Sequence, residues 1–185
     1  MIQALGNKVR KLGPLGRRFW RQPSGATAVE FGLIAVPFFF LMMAIIETAL
    51  IFLASQLLET GVSQAGRSIR TGQVQSQGIG EAEFRDMICG EVGVLFDCGP
   101  RLAIDVQRVE TFDAAELALP VDVASGTYTG AFGFDPGTGG QTVVVRAFYL
   151  WPVLFNFFGL DAADVGGRQR ILAATTAFRN EPFPD

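Results

Sequence analysis

The run FGLIAVPFFFLMMAIIETALIFLA, residues 31–54, decides how this chain is read. It is 24 residues long and carries one charge, Glu47. As an α-helix it would extend roughly 36 Å at about 1.5 Å per residue, enough to cross the hydrocarbon core of a bilayer with some tilt. A cleavable secretory signal has a shorter apolar core, about 7–15 residues, followed by a small-residue cleavage site. No clear A-x-A site follows this run, so the sequence predicts a retained anchor. Pro37 removes one backbone donor inside the run and frees the Leu33 carbonyl, which a membrane helix tolerates as a local bend.

The charges on either side differ in sign. Residues 1–25 carry Lys8, Arg10, Lys11, Arg17, Arg18 and Arg21 without an acid, a charge of +6. Residues 26–185 carry nine arginines, no lysine and all 18 acids, a charge of −9. A basic head before an apolar span predicts a cytoplasmic N-terminus and a periplasmic body. Gly6, Gly13, Pro14, Gly16 and Pro23 interrupt any long helix in the head, which reads as a polar leader. Its basic cluster is short, with Phe19 and Trp20 alone for stacking, so nucleic acid is not an expected partner.

The residue inventory closes most routes to catalysis. The chain has no histidine, and its two lysines both precede residue 12. This removes Ser-His-Asp and Cys-His chemistry, histidine-ligated zinc, the P-loop lysine and Schiff-base lysines from the body. No enzyme activity, cofactor or metal is expected. Cys89 and Cys98, with eight residues between them, are expected to form a structural disulfide outside the cytoplasm rather than a redox or metal site.

Beyond the span, Leu58, Val62, Ala65 and Ile69 keep one helical face apolar while Glu59, Ser63, Gln64 and Arg67 fall on others, which predicts a single helix over about 27–70. Thr71–Gly80 reads as a polar, Gly-rich linker, and Glu81–Phe96 as a short helix carrying Cys89. Leu102, Ile104 and Val106 alternate with Ala103, Asp105 and Gln107 as in a strand, and Val109 breaks the phase at a bulge or strand end. Val143–Leu150 and Arg170–Phe178 predict two more strands, with Gly126–Gln141 between the first two as a mobile loop. Within that loop, Asp135–Gly140 lacks the acidic spacing of a calcium loop and reads as a turn. The expected fold is α+β, a long N-terminal transmembrane helix continuing into a small periplasmic domain with an antiparallel sheet. Its parts are a basic cytoplasmic leader (1–25), a transmembrane and extension helix (26–70) and a periplasmic domain (71–185).

The junction Gly25-Ala26-Thr27-Ala28-Val29-Glu30-Phe31 resembles the G-x-x-x-x-E-F processing pattern of Tad (tight adherence) pseudopilins and, more loosely, of type IV prepilins. Proline in the apolar run, Phe38-Phe39-Phe40, Ile45-Ile46-Glu47 and an extension ending near Arg67 and Arg70 also look like the TadE-like family. The late segment Ala177–Phe183 looks like the C-terminal signature of one alphaproteobacterial branch of that family. The resemblance implies a pilin-like, single-pass inner-membrane protein, a minor component of Tad/Flp pilus assembly and cell adhesion. Its implied partners are a prepilin peptidase, other Tad pilus subunits and inner-membrane assembly proteins. Cleavage after Gly25 would free the amine of Ala26 and make Glu30 the fifth residue, placed to pair with a neighbouring subunit's amine. Gly25 has no side chain to obstruct the peptidase, and its flexibility suits an extended scissile bond.

Each feature has a plainer counterpart. Glu30 could merely favour the helix dipole. Glu47 reads as a carboxylate near the outer interface or against another subunit; at 17 positions from Glu30 it lies roughly 100° away around the helix, so the two form no acid pair. Tyr149–Phe158 is too short to span a membrane and is either core packed on the long helix or an exposed patch meeting a pilus component or the bilayer. Asp161 and Asp164 read as surface residues. The alternative for the whole chain is an unprocessed, membrane-anchored periplasmic binding module with no pilus role.

Overall fold

The computed structural model describes residues 23–93, 97–110, 120–129, 132–155, 162–163, 165–166 and 168–183. The leader as far as Gln22, the end of the Tyr149–Phe158 run from Asn156, and Asp161 and Asp164 lie outside them. Helix α1 spans Pro23–Arg70 with Pro37 inside it. It begins four residues earlier than the apolar pattern suggests, at a proline whose fixed φ and missing N–H suit a first helical turn. Arg67 and Arg70 occupy its last turn, where cations complement the exposed carbonyls. The amides of Thr71 and Gly72 then close onto Arg67 O and Ile69 O, and the chain turns at Gly72 with φ 78°.

The chain divides into two compact units, residues 1–44 and 45–185. The described part of the first is helix alone. Phe31, Leu33 and Ile34 are all about 70% exposed or more, as are lesser fractions of Phe38, Phe39 and Leu41. Aqueous solvent does not suit such a surface. Among the described residues, α1 is the one helix long and apolar enough to cross a membrane.

The second unit is an α+β domain. Its sheet comprises β1 (Leu102–Val109), β4 (Thr142–Pro152) and β5 (Gln169–Arg179), antiparallel in the order β1-β4-β5. Leu102 pairs with Tyr149, and Tyr149 with Leu172 across the sheet. One face of the sheet, with Ile104, Val106, Val145, Ala147, Tyr149 and Leu172, buries against Ala54, Leu58, Val62, Ala65 and Ile69 of α1. Two further helices, α2 (Gln73–Gln77) and α3 (Glu81–Val92), add Val74, Phe84, Ile88 and Val92 to the same core. The α1 positions are the ones whose spacing sets one apolar face. Gly61 lies where a Cβ would come 3.0 Å from Val92, so helix α3 approaches α1 closely there.

Strict alternation fails in β1 because both of its faces are covered. Ala103 and Asp105 are buried along with Leu102, Ile104 and Val106. Asp105 faces Arg146 across the ladder and receives its Nη2 at 2.6 Å and Nε at 3.1 Å. Its other oxygen accepts the Gly133 amide at 2.9 Å, and Gln107 Nε2 donates to it at 2.9 Å on the first oxygen. The second face also receives a two-stranded hairpin, β2 (Val121–Asp122) and β3 (Thr127–Tyr128), through Val121, Leu150 and Val165. The Tyr128 hydroxyl donates to Arg101 O at 2.6 Å and stands 2.9 Å from Phe148 O. Burial, then the neighbouring Tyr149, push its pKa well above the ordinary phenol value. At the hairpin turn, the Ser125 hydroxyl and the Ala124 amide hold the Asp122 carboxyl below its ordinary value.

Two expectations change. The linker 71–80 contains α2, whose Val74 is buried; one apolar residue is enough to dock a single turn. The described part of 126–141 is tied to the sheet and not free. Phe134 bridges Val106, while Pro136 and Gly137 carbonyls accept from Gln75 Nε2. Glycine-rich composition signals backbone freedom in the unfolded chain, not the hydrogen bonds that remove it.

Candidate processing junction and the Glu47 contact

Gly25 lies inside the first turn of α1, not in an extended segment. The first four amides of any helix lack intrahelical acceptors, so unwinding this turn to present the Gly25–Ala26 bond breaks little hydrogen bonding. Gly25 is half-buried, while Thr27, Ala28, Val29, Glu30 and Phe31 are exposed. Glu30 sits about two turns into the helix, and dipole stabilisation fades beyond the first turn. The helix-dipole account of Glu30 is therefore weak in the uncleaved chain. Pro37 is accommodated within continuous helix, and Phe38 and Phe39 stand edge to face with ring centroids 5.6 Å apart.

Glu47 is different. Its side chain is 5% exposed and belongs to the second unit. The carboxylate accepts the backbone N–H of Leu154 at 2.7 Å on one oxygen and that of Phe155 at 3.2 Å on the other. The sequence marked Glu47 as a charge in the span. It could not reveal this contact, because the acceptors' partners lie 107 and 108 positions away as bare backbone amides. The described part of the Tyr149–Phe158 run divides the same way. Tyr149, Leu150, Trp151 and Val153 are buried core, whereas Leu154 is 54% exposed.

Cys89 and Cys98 are joined as a disulfide, tying the end of α3 to the approach to β1. Beside it, the Asp97 amide donates to Tyr149 Oη at 3.1 Å. At the opposite end of the domain, the segment Ala177–Phe183 acts as a clamp. Asn180, nearly fully buried, donates from Nδ2 to Pro136 O and Thr138 O at 3.0 Å each. The Glu181 amide donates to Arg70 O at 2.9 Å, and Phe183 covers Gly72. This segment holds the end of α1 against the loop before β4. A shallow groove lined by Gln64, Arg67, Met87 and Glu91 opens beside α1 and α3 but gathers no reactive set. Among the described residues no cluster of three or more Asp, Glu or Cys could hold a metal ion.

Fold and junction together define a class, an α+β domain carried on one long apolar helix with an acid just inside its start. Residues 25–67 match the family model for TadE-like proteins, and over that segment the chain is similar to them. The match covers the junction, the apolar run and most of the extension, and stops before the sheet. No curated protein and no solved structure matches the chain.

Proposed function

We propose that the protein is a minor pseudopilin-like component of Tad/Flp pilus assembly, anchored in the bacterial inner membrane by α1 and processed by a prepilin peptidase after Gly25. Its role is structural: assembly and adhesion, without catalysis. The observation that carries this reading is the TadE-like match across 25–67, which begins at the proposed cleavage residue. The exposed apolar surface of α1 from Val29 onward supports a lipid or subunit environment for that helix. The N-terminus is cytoplasmic, since the six cations precede the span. Other Tad subunits and inner-membrane assembly proteins are its partners.

In this reading Glu30 is kept near the membrane edge for a charge partner, the freed Ala26 amine of a neighbouring subunit. An unpaired carboxylate there is costly. Two variants separate cleavage from assembly. Replacing Gly25 with a bulky residue is expected to leave the full-length form accumulating in membranes that contain active peptidase. Glu30→Gln is expected to leave cleavage largely intact and to weaken co-purification with other pilus subunits. Normal piliation in both variants would remove the functional reading of residues 25–31.

A further inference from the structure

We propose that the end of the domain holding Leu154 is a lipid-contacting surface, seated in the acyl–headgroup boundary of the bilayer and held there by Glu47. This rests on the reading of α1 as a membrane span. Phe31 opens the apolar run, and Glu47 follows 16 positions later, roughly 24 Å along the helix at about 1.5 Å per residue. A hydrocarbon core of about 30 Å then leaves Glu47 just short of its far edge. A carboxylate at that depth needs donors. Irregular backbone at the same depth needs acceptors, because lipid supplies none. The Glu47 contact meets both needs at once: its two oxygens take the amides of Leu154 and Phe155, which leave the sheet after Pro152.

The exposed apolar side chains point to the same place. Among the described residues of the second unit, the large exposed ones other than Met87 are Ile45, Ile46, Phe52 and Leu53 around Glu47, with Leu154 and Val123. Val123 reaches this end through Gly166, whose amide donates to Val123 O at 2.8 Å, and through Val165, which bridges Gln169 beside Pro152. The lipid occupant is argued from continuity in sequence, since Ile45, Ile46, Phe52 and Leu53 belong to the same apolar run, residues 31–54, that is read as the span. Exposed apolar side chains beside satisfied backbone are what interfacial binding requires.

The test uses the full chain reconstituted in phosphatidylcholine vesicles at low protein density. The native cysteines are bonded to each other, so a nitroxide can be placed alone at Leu154→Cys or, as the distal reference, at exposed Ser76→Cys. Oxygen concentrates in the acyl region and a nickel chelate stays in water. The expected ratio of oxygen to nickel accessibility is several-fold higher at position 154 than at 76. Glu47→Ala is expected to bring the value at 154 down toward that at 76, while Glu47→Gln, which keeps one acceptor, falls between. Equal nickel accessibility at both positions in protein that resists alkaline extraction would overturn the surface and leave the span intact. Extraction by alkaline carbonate would overturn the span and this surface with it. Protection at 154 that appears only as protein density rises would show a second copy covering the surface instead of lipid. An unchanged ratio in Glu47→Ala would overturn the role given to Glu47.

Discussion

Among the described residues, two buried charged contacts in the domain show how differently a carboxylate can be used. Asp105 and Arg146 have side chains 1% and 8% exposed and are joined in one network with Gly133 and Gln107. Arg146 also lies 5.6 Å from the centre of the Phe148 ring. A buried pair of this kind adds little net stability, but removing one member leaves an uncompensated buried charge. Arg146→Met is therefore expected to destabilise the domain by about 3–5 kcal/mol. Combining it with Asp105→Leu should recover part of that loss. Thermal melts of the full chain in detergent, followed by circular dichroism, measure both; a double variant less stable than Arg146→Met alone would contradict the account. Neither Asp105 nor Glu47 could be assigned from sequence. Asp105 sat at an outward position of an alternating strand, and Glu47 in a run whose composition speaks only of lipid. Each is buried by a segment distant in the chain, a glycine amide in one case and the backbone past β4 in the other. Local pattern carries no trace of such partners.

At the scale of elements, the residues that face one another through regular periods were legible. Leu58, Val62, Ala65 and Ile69 gave the buried face of α1, and Val143–Leu150 the centre of the sheet, because period and burial agree there. The strand after Pro136 is longer than its apolar core, running Thr142–Pro152, and β5 likewise extends to Gln169 and Arg179. Strand ends are set by cross-strand hydrogen bonds, which polar residues make as well as apolar ones. The hairpin β2–β3 escaped notice altogether: two residues per strand are too few for any period. Close sequence spacing served better for the cysteines. Their bridge joins α3 to the segment before β1 and restricts the loop between them in the unfolded chain. Reduction is expected to cost about 2–3 kcal/mol, the usual effect of closing a short loop. A melt with and without reductant in detergent measures it, and thiol labelling of the unreduced, unfolded chain should find no free cysteine. Two reactive thiols in that assay would contradict the bridge.

For the whole molecule, sequence and fold speak to different halves of the function. The first unit is recognisable because the proposed lipid and peptidase would both read short, local patterns: apolar length, a glycine, an acid five residues on. The second has no such pattern and matches nothing solved, yet its packing accounts for the apolar face that α1 keeps from Ala54 to Ile69. One face of the helix is required by the sheet from Ala54 to Ile69, and its start carries the junction. Under the proposed function, assembly depends on the junction being cut, since cleavage creates the Ala26 amine that Glu30 would meet. N-terminal sequencing of the native protein, taken from membranes with an active prepilin peptidase, tests this most directly. The account predicts a chain beginning Ala-Thr-Ala-Val-Glu, from Ala26 to Glu30; a chain that still begins at Met1 would contradict it.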